Sequence, residues 1–395
     1  MTRESTLSNA RIVLDKEVLH GSVLVRDGLI ADIAPGTSTG QGTAGEDFDG
    51  DYLLPGVVEL HTDHLEYHFS PRPGVRWDPL PAVLAHDAQM AASGATTVLD
   101  AVRIGSHHGG KDEALTKAAR HLAGSIETAA DAGLLRADHS IHVRCEVSAE
   151  DCLEAFGHFA DNPRVRLASL MDHTPGQRQY ADVEVYRRYI VGKGRIAPAD
   201  FDDFVATLVE RSARYAEGHR RAIAKLAAER GITLATHDDA TPEHVAESVA
   251  LGTRIAEFPT TVPAASAAAE QGQLIVMGAP NIVRGGSQSG NVAAAELLDL
   301  GLLHILSSDY VPSSPLQAVF QLAADGAIEL TEGAKLVSGN PARAVGLDDR
   351  GEIAIGRRAD LVRVRPHQLP ATEGHPNGEL VPVVRGVYRQ GARVS

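Results

Sequence analysis

His61-Thr62-Asp63 closes a short apolar run that begins at Val57, and four further runs end in the same kinds of side chain. Ile141 to Cys145 leads to Glu146, Val165 to Met171 to Asp172-His173, Ile232 to Thr236 to His237-Asp238-Asp239, and Leu303 to Leu306 to Ser307-Ser308-Asp309. Imidazole nitrogens and carboxylate oxygens, with no thiolate among them, suit Zn²⁺, Mn²⁺ or Fe²⁺. Such ions do hydrolytic chemistry, making water a nucleophile at neutral pH and polarising the group that it attacks. His61 and Asp63 are two residues apart, so in a strand they share a face and can meet one cation. Two cations are expected, with Glu146 as a bridge between them. Most of the 18 His, among them His86, His139 and His142, are expected to be surface or hydrogen-bonded core residues.

Donors from five runs meet only if the runs end on one rim. Strand candidates at 57–60, 96–99, 141–145, 165–171, 232–236, 255–258, 273–277 and 303–306 alternate with helical patterns. That order is the signature of a (β/α)₈ TIM-like barrel, which carries its site at the C-terminal ends of the strands. One helix begins behind Asp200, with Phe201, Phe204, Val205, Leu208, Ser212 and Tyr215 on one face. A break is expected at Gly218 and a stop at Gly231. Before the barrel, short alternating runs flank Asp27-Gly28, a hairpin signal. After Asn340-Pro341 the chain again reads as β, at 351–356, 359–364 and 381–388. Neither end can bury a core alone, so both are expected to form one small β-sandwich domain. The expected division is 1–54 and 341–395 for that domain and 55–340 for the barrel.

Composition narrows the function classes. The 395 residues carry 37 Lys and Arg against 52 Asp and Glu, a formal charge of −15, and aromatics make up 4%. Such a chain repels polyanions on average and lacks a base-stacking surface, which argues against a nucleic-acid partner. No apolar run approaches membrane-spanning length and the start has no signal-like core, so no membrane partner is expected and the cytoplasm is the expected compartment. Cys145 and Cys152, too few for a disulfide framework, are expected as small core residues.

The segments Leu54-Pro55-Gly56-Val57-Val58-Glu59-Leu60-His61, Asn340-Pro341-Ala342 and Gly356-Arg357-Arg358-Ala359-Asp360-Leu361 resemble those of the amidohydrolase superfamily. Within it, the chain resembles the α-D-ribose 1-methylphosphonate 5-triphosphate diphosphatases of the carbon–phosphorus lyase pathway. The segments that carry this are His61-Thr62-Asp63-His64-Leu65-Glu66, Pro71-Arg72-Pro73-Gly74-Val75-Arg76-Trp77, Arg144-Cys145-Glu146, Asp172-His173-Thr174-Pro175-Gly176-Gln177, Thr236-His237-Asp238-Asp239-Ala240-Thr241 and Ser307-Ser308-Asp309-Tyr310. The resemblance implies His61, Asp63, Glu146, His173, His237 and Asp309 at a metal centre of two zinc ions, with manganese or iron as alternatives. Two positions depart from the family pattern: His64 stands where some relatives have Asn, and Gln288 where His is familiar.

The resemblance further implies hydrolysis of a ribose triphosphate phosphonate to the 5-phosphate and diphosphate in phosphonate catabolism, with Asp309 as ligand and base. Cations gather after the strands independently of it: Arg72 and Arg76, then Arg103, His107, His108 and Lys111, then Arg178, Arg187, Arg188, Lys193 and Arg195, then Arg284. An acidic protein that collects cations there focuses a small anionic substrate. Ser287, Ser289 and Asn291 lead into a helix at 292–300 whose first N–H groups are expected to hold phosphate. Trp77 and Tyr180 are candidates to line a sugar pocket. A deacetylase or cyclic amidase on the same fold is the rival enzyme, and a metal-free scaffold the non-enzymatic rival. A homo-oligomer is expected.

Overall fold

The computed structural model describes residues 4–36, 45–72, 74–105, 111–180, 182–192, 196–287, 290–371 and 379–395. Eight strands pair side by side in parallel and in sequence order: β1 (Val57–Thr62), β2 (Ala95–Ile104), β3 (Asp138–Glu146), β4 (Val165–Met171), β5 (Thr233–His237), β6 (Ile255–Glu257), β7 (Leu274–Gly278) and β8 (Ile305–Ser307). The ring closes through Asp309, whose N–H donates to the His61 carbonyl and whose carbonyl accepts from the Asp63 N–H, each at 3.0 Å. Residues expected to do chemistry thus also make the barrel seam.

Strands buried on both faces need apolar residues at every position, which is why they read as short continuous runs. Val58, Leu60, Leu99, Leu167, Ala235, Ile255, Val276 and Ile305 form one buried cluster that draws on seven strands and fills the barrel interior. β3 puts His142 there instead. Its Nδ1 donates to the Leu60 carbonyl at 2.9 Å, and its Nε2 accepts from the Ser169 hydroxyl at 2.8 Å. Burial pushes its pKa down to about 3, so the ring is neutral packing with both nitrogens used.

The helix Phe201–Arg230 runs unbroken through Gly218. A mid-helix glycine costs about 1 kcal/mol, and burial of Ala216, His219, Ile223 and Ala227 around it outweighs that cost. Gly231, at φ 67°, supplies the expected stop.

The chain ends meet in a single sheet. Glu4–Val13, Val18–Arg26 and Leu29–Pro35 are antiparallel, joined at Asp27-Gly28 by a two-residue turn with φ of 50° and 84°. Tyr52–Pro55 then joins Glu4–Val13 to the C-terminal strands Leu361–Leu369 and Glu379–Arg389. The sheet curls until Leu29 bridges Arg358, enclosing Ile12, Val23, Ile30, Phe48, Leu53 and Tyr388. Residues 351–356, expected as a strand, are irregular and contribute Ile353 to that core.

Behind β2 and β3, His139 lies between two carboxylates, Nδ1 2.7 Å from Asp100 and Nε2 3.2 Å from Asp87. A neutral ring can donate only once, so this arrangement favours the cation. Burial opposes the charge, but the two carboxylates outweigh it and raise the His139 pKa to about 10. Stability from a raised pKa is complete below the unfolded value of about 6.5 and is lost as pH rises towards the folded one. The melting temperature of the wild type should therefore fall from pH 6.5 to pH 10, and that of His139→Gln should start lower and fall less; parallel profiles would show an uncharged His139.

Candidate metal centre

The sites at the ends of β5, β6 and β8 are set by sharp turns. Asp238, Phe258 and Asp309 take the left-handed backbone, with φ of 57°, 54° and 52°. Asp adopts this region with modest cost, whereas a Phe there is strained by about 1–3 kcal/mol. The Phe258 ring stands edge-on to His61 and His237, with centroids 4.9 and 5.3 Å away, and holds both imidazoles in place.

Two groups of three donors result. His61, Asp63 and Asp309 offer ligand atoms within 4.8 Å of one another, and so do His173, His237 and Asp238. They adjoin, since the His61 and His237 rings stack at 5.6 Å. Glu257, the last residue of β6, organises both: its Oε1 lies 3.1 Å from His61 Nδ1 and its Oε2 3.2 Å from His237 Nδ1. A carboxylate can only accept, so both Nδ1 atoms carry the proton and both Nε2 atoms present lone pairs. Glu146 does the same for His173, with Oε2 2.5 Å from Nδ1.

These lone pairs face further acceptors. Asp238 Oδ2 is buried without a hydrogen-bond partner, 3.4 Å from His237 Nε2 and 3.8 Å from His173 Nε2. His61 Nε2 likewise lies 3.8 Å from Asp63 Oδ1. Acceptors aimed at one another repel unless a cation stands between them, so this donor set fits a divalent metal.

Electrostatics reinforce that demand. Burial, assisted by the Asp63 and Asp238 charges, lifts Asp309 to about 6, although His61 and Arg144 pull the other way. Asp63 is held at about 2: burial would raise it, but the Arg144 guanidinium that bonds Oδ1 more than compensates. Beneath the seam, Glu59 accepts from the His61 and Ser308 N–H groups at 2.8 and 2.7 Å, and burial raises it to about 7.

Of the six expected ligands, His61, Asp63, Asp309, His173 and His237 sit in these groups. Glu146 does not stand between them as a bridge. Its oxygens bond Arg103 at 3.1 Å, Ser148 at 3.0 Å and His173. Asp238 takes the place in the second group. Sequence reasoning also passed over Arg144 and Glu257. A carboxylate at the penultimate position of strand candidate 255–258, close to where the other runs place theirs, was the signal for Glu257. Replacing Glu257 by Gln would turn an N–H group towards one of the two Nδ1–H groups and upset that ring's tautomer. Metal affinity should fall about 10–100-fold in Glu257→Gln, measured by competition with a chelator; unchanged affinity would remove Glu257 from the centre.

The expected anion contacts divide. Arg72 is exposed, and Arg76 lies 5.5 Å over the Phe69 ring with its guanidinium 3.3 Å from Ser70 Oγ. Arg103 is half-buried against Glu146, and Arg284 donates to the Tyr310 hydroxyl at 3.3 Å. Trp77 is exposed, and the Tyr180 ring lies 6.2 Å from that of His173. Arg178 is corrected: it is buried and bonds Asp239 and Glu247, so its charge is spent inside the protein. Arg178→Ala leaves Asp239 buried with a Ser248 hydroxyl at 3.3 Å as a remaining partner. A loss of about 3–5 kcal/mol of stability is expected in chemical denaturation, and wild-type stability would contradict the ion-pair role.

The helix expected at 292–300 is Ala294–Asp299, and three N–H groups on its approach are already engaged. Val292 N–H donates to the Thr260 carbonyl, Ala294 N–H to Asn281 Oδ1, each at 3.0 Å, and Asn291 N–H to Ser287 Oγ at 3.2 Å. Those groups hold the loop itself. Ser289, Gln288, His107, His108, Lys193, Arg195 and the Lys111 side chain lie outside the described residues.

Residues 88–395 match the amidohydrolase family. The α-D-ribose 1-methylphosphonate 5-triphosphate diphosphatase of Escherichia coli (strain K12) is 48% identical over 360 residues, which cover 90% of this chain and 94% of that protein. Among solved structures, N-acetylglucosamine-6-phosphate deacetylase from Pasteurella multocida superposes with a TM-score of 0.60 at 14% identity, over 99% of both chains. Dihydropyrimidinase from Brevibacillus agri gives 0.56 at 14% identity, over 99% of this chain and 95% of that one. At such identities these two share the fold. No helix among the described residues is long and apolar enough to cross a membrane. With the barrel, the donor groups at its rim and these matches together, the chain belongs to the amidohydrolase family.

Proposed function

We propose that the protein is a metal-dependent hydrolase that cleaves α-D-ribose 1-methylphosphonate 5-triphosphate to the 5-phosphate and diphosphate, as its Escherichia coli relative is named for doing. The observation that carries the hydrolytic reading is the convergence of unprotonated His173 and His237 Nε2 atoms on the unpartnered Asp238 Oδ2. His61, Asp63 and Asp309 would hold one divalent ion, and His173, His237 and Asp238 a second; zinc fits this nitrogen and oxygen set. Bound there, the ions supply Lewis acidity to the phosphoryl group and make water nucleophilic at neutral pH.

The chain's own residues do the rest. The Asp309 carboxylate accepts the proton of the attacking water as the anhydride bond to the departing diphosphate breaks. Glu257 and Glu146 keep the three imidazoles in the tautomer that leaves Nε2 free. Arg144 supplies a fixed positive charge beside Asp63. Arg72, Arg76 and Arg284 would grip the outer phosphates and offset charge on the leaving group.

The test incubates the protein with this triphosphate and, separately, with nucleoside triphosphates and N-acyl sugars, measuring diphosphate and orthophosphate individually. Diphosphate release selective for the ribose phosphonate supports the reading. Turnover of N-acyl sugars alone would replace it with the deacetylase reading.

A further inference from the structure

A second concentration of imidazoles lies outside the rim groups. His64 and His68 occupy positions one turn apart on the helix His64–Phe69, so they share a face, and His86 meets them from the helix Pro79–Ala92. One ring nitrogen of each lies within 4.8 Å of the other two. The ring centroids are 5.2 Å apart for His64 and His68, 6.0 Å for His68 and His86, and 6.3 Å for His64 and His86.

Hydrogen bonding settles where the lone pairs are. His86 Nε2 lies 2.8 Å from Asp100 Oδ1, an oxygen that can only accept, so Nε2 carries the proton and Nδ1 is bare. That Nδ1 is buried without a hydrogen-bond partner, and so is His64 Nδ1. His68 Nε2 lies 3.0 Å from Gln89 Oε1, and donation to that amide oxygen leaves its Nδ1 bare too. A buried polar atom left unpaired costs about 1–3 kcal/mol, and two in one small cluster call for a common partner. Three imidazoles, one of them backed by a carboxylate, make the donor set of a transition-metal dication, with Asp100 orienting His86 from behind.

We propose that His64, His68 and His86 bind a divalent transition metal of the zinc class at a site separate from the rim centre. The ion's position suggests its role. The two helices that it would join are the two stems of the segment 70–78, which carries Arg72 and Arg76. Bound metal therefore fixes the spacing of those stems and the placement of both arginines.

The experiment equilibrates the wild type, His68→Phe, His68→Gln and the rim variant His237→Ala with Zn²⁺, removes loosely held ion by gel filtration, and counts equivalents by elemental analysis. His68 is half-buried, so Phe replaces it without a cavity, and circular dichroism with thermal melting verifies the fold of every variant. Both His68 variants should carry one equivalent fewer than the wild type and give up that ion without losing those at the rim, whereas His237→Ala should lose rim metal and keep this ion. Titration with Co²⁺ of His237→Ala should give a visible band whose intensity and stoichiometry fall by one equivalent when His68→Phe is added to it. Equal stoichiometry in wild type and folded His68 variants, or a Co²⁺ band indifferent to His68, would overturn the site.

Discussion

Replacing His61 or His173 by Ala is expected to leave a folded protein that has lost both metal and turnover. Each imidazole offers an Nε2 lone pair to its donor group, and neither Asp63 nor Asp238 can compensate for a missing nitrogen. The loss should exceed the roughly 10–100-fold that removal of an outer hydrogen-bond partner costs. The fold should survive because the apolar cluster of Val58, Leu60, Leu99 and Val276 lies within the barrel and does not depend on the rim. Elemental analysis together with far-ultraviolet circular dichroism decides the matter: full metal occupancy in both variants would exclude these residues as ligands.

Asp309→Asn is expected to lower kcat about 10²–10⁴-fold, the span for removal of a general base, with a much smaller change in KM because the phosphate contacts proposed for Arg72, Arg76 and Arg284 are untouched by the substitution. The amide neither accepts the water's proton nor brings the charge that holds a cation. A pH signature accompanies it. Asp309 has a pKa of about 6 without metal, raised chiefly by burial. Below that pH the carboxyl is protonated, and protons compete with the cation, so metal affinity of the wild type should fall as pH drops below 6. Asp309→Asn should lose that part of the dependence. A variant with unchanged kcat and a raised KM would reassign Asp309 to binding.

Particular residues show how far the amino-acid sequence reaches. The barrel was legible because parallel strands are buried on both faces, and the run Val165 to Met171 coincides with β4 (Val165–Met171). His61, His173, His237 and Asp309 were legible because each lies within three residues of the end of such a run. Gly231 announced the end of its helix correctly through its preference for the left-handed backbone, whereas Gly218 did not break it, because burial on either side outweighs a local propensity.

What tertiary structure alone decided is where side chains point once a strand has ended. Alternation predicts facing only while the backbone stays extended, and the left-handed turns at Asp238 and Asp309 reset it. Asp238 therefore enters the second donor group, whereas Glu146 is held on His173 Nδ1, Arg103 and Ser148. Charge tells a similar story: sequence counts Arg178 among cations open to substrate, while the fold buries it against Asp239, a partner 61 residues away. Glu257 joins His61 to His237 across 196 and 20 residues of chain, respectively. Composition and local pattern fixed the donor types and the frame, because those depend on periodicity and burial; tautomers, ion pairs and the grouping of ligands depend on contacts between distant strands, and only closure of the barrel brings those together.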